Sequence, residues 1–145
     1  MRVVLQRVRS GSVKVDGEII GSVGVGYVAL VGIAKGDAES AVDAMAKKVG
    51  QLRVFSDDAG KMNRSLLDVG GGCLVISQFT LIADTTRGRR PFFGEAEAPE
   101  RARAMCDRFA EGLRGQGVTV ETGRFAADML VELANDGPVT IVLDG

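Results

Sequence analysis

Leu74-Val75-Ile76-Ser77-Gln78-Phe79-Thr80-Leu81-Ile82 is the longest near-continuous apolar run in the chain. Glycines precede it and Asp84-Thr85-Thr86 follows it. Such a run reads as a central strand buried on both faces. Three hydrogen-bonding residues, Ser77, Gln78 and Thr80, interrupt it. An unpaired polar group in that position costs about 1–3 kcal/mol. Either neighbouring backbone satisfies these groups within one core strand, or the strand ends among them and opens into a site. The second reading is adopted below.

Outward from this run, the chain alternates strands with only two helical patterns. Residues 2–15 alternate through Val3, Leu5, Val8, Val13 and Val15, with Ser10-Gly11 as the expected bulge or kink. Asp16-Gly17 is a two-residue hairpin turn into a strand over 18–23. Gly24-Val25-Gly26 turns the chain into a central strand, Tyr27–Ile33, and the placing of Asp37 predicts a helix N-cap. Ala41, Val42, Met45, Ala46, Val49 and Leu52 have helical spacing over 38–52. A strand is predicted from Arg53, and Met62, Leu66 and Leu67 are expected to pack over a sheet edge. After the opening run, Pro99 starts a second helix whose buried stripe is Ala102, Met105, Cys106, Phe109 and Leu113. Strands follow at 118–121, 129–133 and 139–143, with Asn135-Asp136-Gly137-Pro138 read as the turn between the last two. The expected fold class is α/β: a layered β/β/α arrangement of two β-sheet layers with two helices packed outside, forming one domain over 1–145.

Composition removes whole classes of chemistry. The chain has 145 residues, enough for one domain with a real core, and 46% of them are hydrophobic, which argues against disorder. It contains no histidine, so Ser-His-Asp and Cys-His catalysis and the usual zinc sites are excluded. The acidic residues reproduce no metal-site spacing, and no metal or cofactor is expected. Cys73 and Cys106 fall in a strand and a helix pattern and read as buried thiols, which fits a cytoplasmic protein. Met1-Arg2 leads straight into a strand pattern, so no targeting segment is expected. No apolar stretch approaches the ~20 residues that span a bilayer.

Three motifs carry the functional reading, each against a bland one. Ser77-Gln78-Phe79-Thr80 is either core strand or a strand end aiming amides and hydroxyls at a ligand. Without a histidine, Ser77 or Thr80 makes a poor covalent nucleophile. Asn135-Asp136-Gly137-Pro138 is either an ordinary turn or, with a cis Gly-Pro bond, a rigid acceptor surface. Arg87, Arg89 and Arg90 form either a solvated loop or a contact to phosphates. The net charge of −1 lacks the basic excess of most nucleic-acid binders, so any such contact is local.

Taken together, Ser77-Gln78-Phe79-Thr80-Leu81 and Asn135-Asp136-Gly137-Pro138-Val139-Thr140 resemble the D-aminoacyl-tRNA deacylases. Leu5-Gln6-Arg7-Val8, Phe55-Ser56-Asp57, Gly60-Lys61-Met62-Asn63 and Thr122-Gly123-Arg124-Phe125-Ala126-Ala127-Asp128-Met129 support the match, which covers essentially the whole chain. The resemblance implies a cytoplasmic homodimer that hydrolyses the ester between a D-amino acid and the 3′ end of tRNA and also deacylates glycyl-tRNA(Ala). It implies that Gly137-Pro138 is the Gly-cisPro motif that enters the other subunit's pocket, with Arg7 fixing its orientation. It implies a pocket floor of Ser77, Gln78, Phe79 and Thr80, with Phe125 and Met129 near the terminal adenosine. For ester hydrolysis the expected groups are main-chain N–H donors at Phe79 and Thr80 and the ribose 2′-hydroxyl. Contact of tRNA with Arg87, Arg89 and Arg90 is an inference from their charge. Two other classes explain part of the pattern: a non-catalytic tRNA- or nucleotide-binding module, and a self-associating structural β-domain.

Overall fold

β1 (Arg2–Val15) is the strand on which the others are hung in the computed structural model, which describes Met1–Gly145. Its first part pairs antiparallel with β3 (Gly26–Gly32) and its last part, from Gly11, with β2 (Glu18–Val23). The opposite edge is taken along its length by β8 (Leu130–Asp144). β2 and β3 therefore follow one another on the same edge, and β1 bends from one layer into the next between them. The kink expected at Ser10-Gly11 begins slightly earlier: the β8 register shifts between Gln6 and Val8 and again between Val8 and Ser10. Asp16 and Gly17 both have positive φ, 51° and 80°, as a tight hairpin turn requires.

The sheet continues from β3 to β6 (Gly72–Ser77) and β7 (Thr119–Thr122), both additions parallel. Parallel neighbours need long crossovers. The first contains α1 (Glu39–Gln51) and a small separate hairpin of β4 (Arg53–Ser56) and β5 (Met62–Ser65); the second contains α2 (Pro99–Arg114). Alternation along the central strands then sorts the core. Tyr27, Ala29 and Val31 of β3, with Cys73 and Val75 of β6, face the two helices and meet Val42, Met45, Met105 and Phe109. Val28, Leu74 and Ile76 point the other way, onto Val8 and Val13 and the half-buried Ile20 and Val131. One bent sheet thus supplies two β layers, with both helices outside the main one: the expected β/β/α stack.

The run 74–82 breaks as the adopted reading has it: β6 stops at Ser77 and Phe79–Ile82 is a single 3₁₀ turn. Three other expectations need correction. Asp37 does not cap α1, whose N-cap is Ala38 without a side-chain bond. The Asp37 carboxylate is instead drawn to the Ala34 N–H at 2.7 Å and the Met1 amino group at 2.7 Å. Of the three residues expected over the sheet edge only Leu66 is buried; Met62 and Leu67 are exposed because β5 belongs to the outlying hairpin. Finally, Asn135-Asp136-Gly137-Pro138 does not reverse the chain. β8 is one strand, and these residues are an excursion within it: Val8 pairs with Asn135 and Gln6 with Thr140, so five steps on β8 oppose two on β1.

Candidate active site

The end of β6 forms one wall of a pocket of about 440 Å³. Gln78 N–H still bonds the Val31 carbonyl at 2.8 Å, continuing the sheet by one step, and then the chain coils. In the 3₁₀ turn that follows, the first internal bond runs from Leu81 N–H to the Gln78 carbonyl at 3.2 Å. The N–H groups of Phe79 and Thr80 come before that bond and have no acceptor within the turn. Ser77, Gln78 and Phe79 line the pocket, with Phe125 and Met129 on the segment leading into β8. The opposite wall, which the sequence does not single out, is the start of α2: Glu97, Pro99, Ala102 and Cys106. Ala102 and Cys106 sit at helix positions whose spacing marks them as buried, but spacing alone does not say that they face a cavity.

The walls are mostly apolar, so the charged and reactive groups among them are few. Glu97 accepts from the Ala98 N–H at 2.8 Å and from Arg101 at 2.5 Å, and these bonds hold its carboxyl below the usual range. Burial pushes the Cys106 thiol up to about 11, partly opposed by a hydrogen bond with Ser77. Burial pushes Cys73 up to about 12. Both are free thiols. Neither supplies a thiolate nucleophile near neutral pH. No group of three or more His, Cys, Asp or Glu side chains is placed to hold a metal ion, and no helix is long and apolar enough to cross a membrane.

Thr80 lies outside the pocket lining; its side chain is exposed and its Oγ1 is bonded by Gln78 Nε2. Phe79 is 56% exposed and packs edge-on against Phe93, ring centroids 5.1 Å apart.

Gly137, Pro138 and Arg7 form a second cluster that does not line this pocket. The Gly137-Pro138 peptide bond is cis, and both residues are exposed. The excursion that carries them is pinned from both sides. Arg7, a buried arginine, donates from Nη1 to the Val54 carbonyl at 2.6 Å and from Nε to the Asp136 carbonyl at 3.2 Å. Asn135 Nδ2 donates to the carbonyls of Arg7 and Val139, at 2.8 and 3.0 Å, tying the two ends of the excursion together. Asn135 and Asp136 thus act as braces that the sequence reading treats only as turn residues.

Arg87, Arg89 and Arg90 are exposed on a loop closed by paired backbone bonds between Asp84 and Phe92, 2.8 and 2.9 Å long. The Asp84 carboxylate, held below its usual range by the Thr86 hydroxyl and N–H, fixes the start of the loop.

The β/β/α stack is the fold that the resemblance to the aminoacyl-tRNA-editing hydrolases implies. The family model described as D-Tyr-tRNA(Tyr) deacylase matches residues 4–144, and the chain belongs to that family. It is 59% identical over 144 residues to the D-aminoacyl-tRNA deacylase of Thermomicrobium roseum, covering 99% of this chain and 94% of the relative. It is 54% identical to the enzyme of that description from Symbiobacterium thermophilum, over 99% and 95% of the two chains. A solved structure of a c-Myc DNA Unwinding Element Binding Protein superposes with a TM-score of 0.94 at 38% identity, over 100% of this chain and 99% of that one. A probable eukaryotic D-amino acid tRNA deacylase shares the fold, with a TM-score of 0.84 at 18% identity over 98% and 97%. The activity is D-aminoacyl-tRNA deacylation, the hydrolysis of a carboxylic ester.

Proposed function

We propose that the pocket at the end of β6 receives the ester-bearing 3′ end of tRNA in the cytoplasm, and that the Phe79 and Thr80 N–H groups stabilise the tetrahedral intermediate. The observation that carries this is the break at Ser77: the strand stops beside an apolar pocket, and the next turn begins with amides that have no acceptor within it. An oxyanion donor is worth about 2.7–4 kcal/mol of barrier. Water adds to the ester carbonyl carbon, the bond to the ribose 3′-oxygen breaks, and a proton reaches that oxygen; free D-amino acid and tRNA leave. No histidine is present and both cysteines are held as thiols, so the 2′-hydroxyl of the substrate is the group proposed to orient the water and carry the proton. Ending the tRNA in 2′-deoxyadenosine then slows hydrolysis sharply; unchanged turnover removes the 2′-hydroxyl from the mechanism.

Selectivity is proposed to come from a second copy of the chain. β8 is a fifteen-residue edge strand with Leu130 and Val142 exposed at 59% and 57%, the kind of edge that pairs with another chain. In the homodimer, the pinned Gly137-Pro138 of one protomer forms a wall against the substrate's α-carbon in the pocket of its partner. An L side chain collides with such a wall. A D side chain points away, and glycine, having none, also passes, so glycyl-tRNA(Ala) is a second substrate. Arg87, Arg89 and Arg90 contact tRNA phosphates. Incubation with D-tyrosyl-, L-tyrosyl- and glycyl-tRNA(Ala), following ester loss, tests the reading: loss from the first and third only is expected. Hydrolysis of the L-ester at a similar rate overturns the wall, and activity that survives dilution to monomer overturns the shared site.

A further inference from the structure

We infer that Phe92, with Arg87, Arg89 and Arg90 beside it, is a stacking platform for an unpaired base in the 3′ single strand of the tRNA, inward of the nucleoside that carries the ester. This rests on the tRNA reading above and adds a recognition surface to it.

Phe92 is 60% exposed, yet it is held in place. Its backbone closes the Asp84–Phe92 loop through the two bonds to Asp84. The tip of its ring lies over Gly94, where a Cβ would come within 2.0 Å of Cζ. Gly94 is therefore what lets the ring lie down against the chain instead of swinging free. The next residue, Phe93, packs edge-on against Phe79 in the pocket wall. The loop is thus coupled to the pocket through one aromatic while the other is presented to solvent.

The charge beside the ring identifies its occupant. Arg2, Arg7, Arg9, Arg64, Arg101, Arg108 and Arg114 all have a carboxylate partner. Arg87, Arg89 and Arg90 have none; Arg53, Arg103 and Arg124 also lack one, but they are scattered, whereas Arg87, Arg89 and Arg90 fall together on one loop. Three guanidinium groups without a carboxylate partner, on the loop that the exposed Phe92 closes, suit a polyanion with flat bases. Single-stranded nucleic-acid sites combine these same parts: an aromatic that stacks a base of any sequence and cations that follow the phosphates. An apolar protein partner has no use for the arginines. The Phe93–Phe79 contact sets this loop against the pocket wall, so a strand whose last nucleoside occupies the pocket has the loop as a neighbour.

Phe92→Ser and Phe92→Tyr test the platform in three assays: kinetics on D-tyrosyl-tRNA, kinetics on D-tyrosyl-adenosine, and binding of an uncharged fluorescent RNA hairpin ending in the tRNA 3′ strand. Phe92→Ser is expected to raise KM for the tRNA ester and Kd for the hairpin about tenfold, the range seen when a stacking aromatic is removed. Its kcat and its action on D-tyrosyl-adenosine stay unchanged, and Phe92→Tyr behaves as wild type. Unchanged KM and Kd overturn the inference. So does an equal loss on D-tyrosyl-adenosine, which makes the ring a support for the pocket. A change of oligomeric state on sedimentation overturns it too, by assigning the ring to a second copy of the chain. If the wild-type protein leaves D-tyrosyl-tRNA intact, the site reading fails, and the hairpin assay still decides the platform.

Discussion

Arg7 holds Asp136 by its main chain: Nε donates to the Asp136 carbonyl at 3.2 Å while Nη1 holds the Val54 carbonyl at 2.6 Å. The guanidinium is buried, and its two acceptors lie on β8 and β4, far apart in sequence. Arg7→Ala leaves those carbonyls without their donor, at a cost of about 1–3 kcal/mol for each that stays buried. Arg7→Lys recovers little, because an ammonium cannot span two acceptors set in a fork. Urea unfolding is expected to show a loss of about 3 kcal/mol for Arg7→Ala, and kcat/KM falls further than the folded fraction does. A variant that keeps full activity and D-selectivity separates Arg7 from the site.

Gly137 makes a sharper prediction. Its φ is +121°, a region that residues with a side chain rarely occupy, and an added Cβ would meet Val139 Cγ2 at 2.8 Å and Arg7 Nη2 at 3.0 Å. Gly137→Ala must therefore move the excursion or its brace, at about 1–3 kcal/mol. The expected outcome is a folded protein with weakened hydrolysis of the D-ester and a smaller D-to-L rate ratio. Parallel rates on D- and L-tyrosyl-tRNA give the ratio directly, and a wild-type ratio contradicts the assignment of this wall.

Cys106 lines the pocket, but its chemistry is silent. With the thiol pushed up to about 11, only about one molecule in ten thousand carries the thiolate at pH 7. The sign is that of an acid whose anion is disfavoured by burial: reactivity is already low at neutral pH, falls further in acid, and rises as pH climbs toward the shifted value. Iodoacetamide labelling of a Cys73→Ala background is expected to speed up about tenfold per pH unit through the alkaline range. Cys106→Ala keeps hydrolysis within about twofold, consistent with an effect limited to packing at one wall. A large loss of kcat in that variant, with KM unchanged, would return the thiol to the mechanism.

How far the fold and site are legible in the sequence depends on whether the deciding contact is local. The stop of β6 at Ser77 is legible because polar residues interrupt an apolar run, and the pocket does lie at that break. The second helix and its stripe are legible because periodicity of 3.6 is a local property. The course of β8 is not. Asn135-Asp136-Gly137-Pro138 has every local mark of a turn, and only pairing of both halves with β1, more than a hundred residues away, keeps the strand running. Asp37 fails as a cap partly for the same reason: the distant Met1 amino group, together with the nearby Ala34 N–H, holds its carboxylate away from the helix it precedes. The far pocket wall is hidden similarly. Cys106 and Ala102 are marked as buried by spacing, but what they are buried against depends on where the chain from Phe125 to Met129 returns.

The arginine loop gives a prediction that needs no catalysis. Each phosphate contact releases counterions, so log Kd changes with log salt by about one unit per contact. Arg87, Arg89 and Arg90 have no carboxylate to give up and are exposed, so their substitution removes no ion pair and no buried contact. Replacing all three by Ala is expected to weaken binding of uncharged tRNA and to flatten its salt slope by about 2–3 units. Unfolding stability changes by less than about 0.5 kcal/mol. Single replacements flatten the slope by about 1 each, whatever the tRNA sequence. Measuring Kd by fluorescence anisotropy across a salt series separates this from a nonspecific loss of fold, which lowers affinity without changing the slope. A triple variant with the wild-type slope means that the tRNA backbone approaches the protein elsewhere.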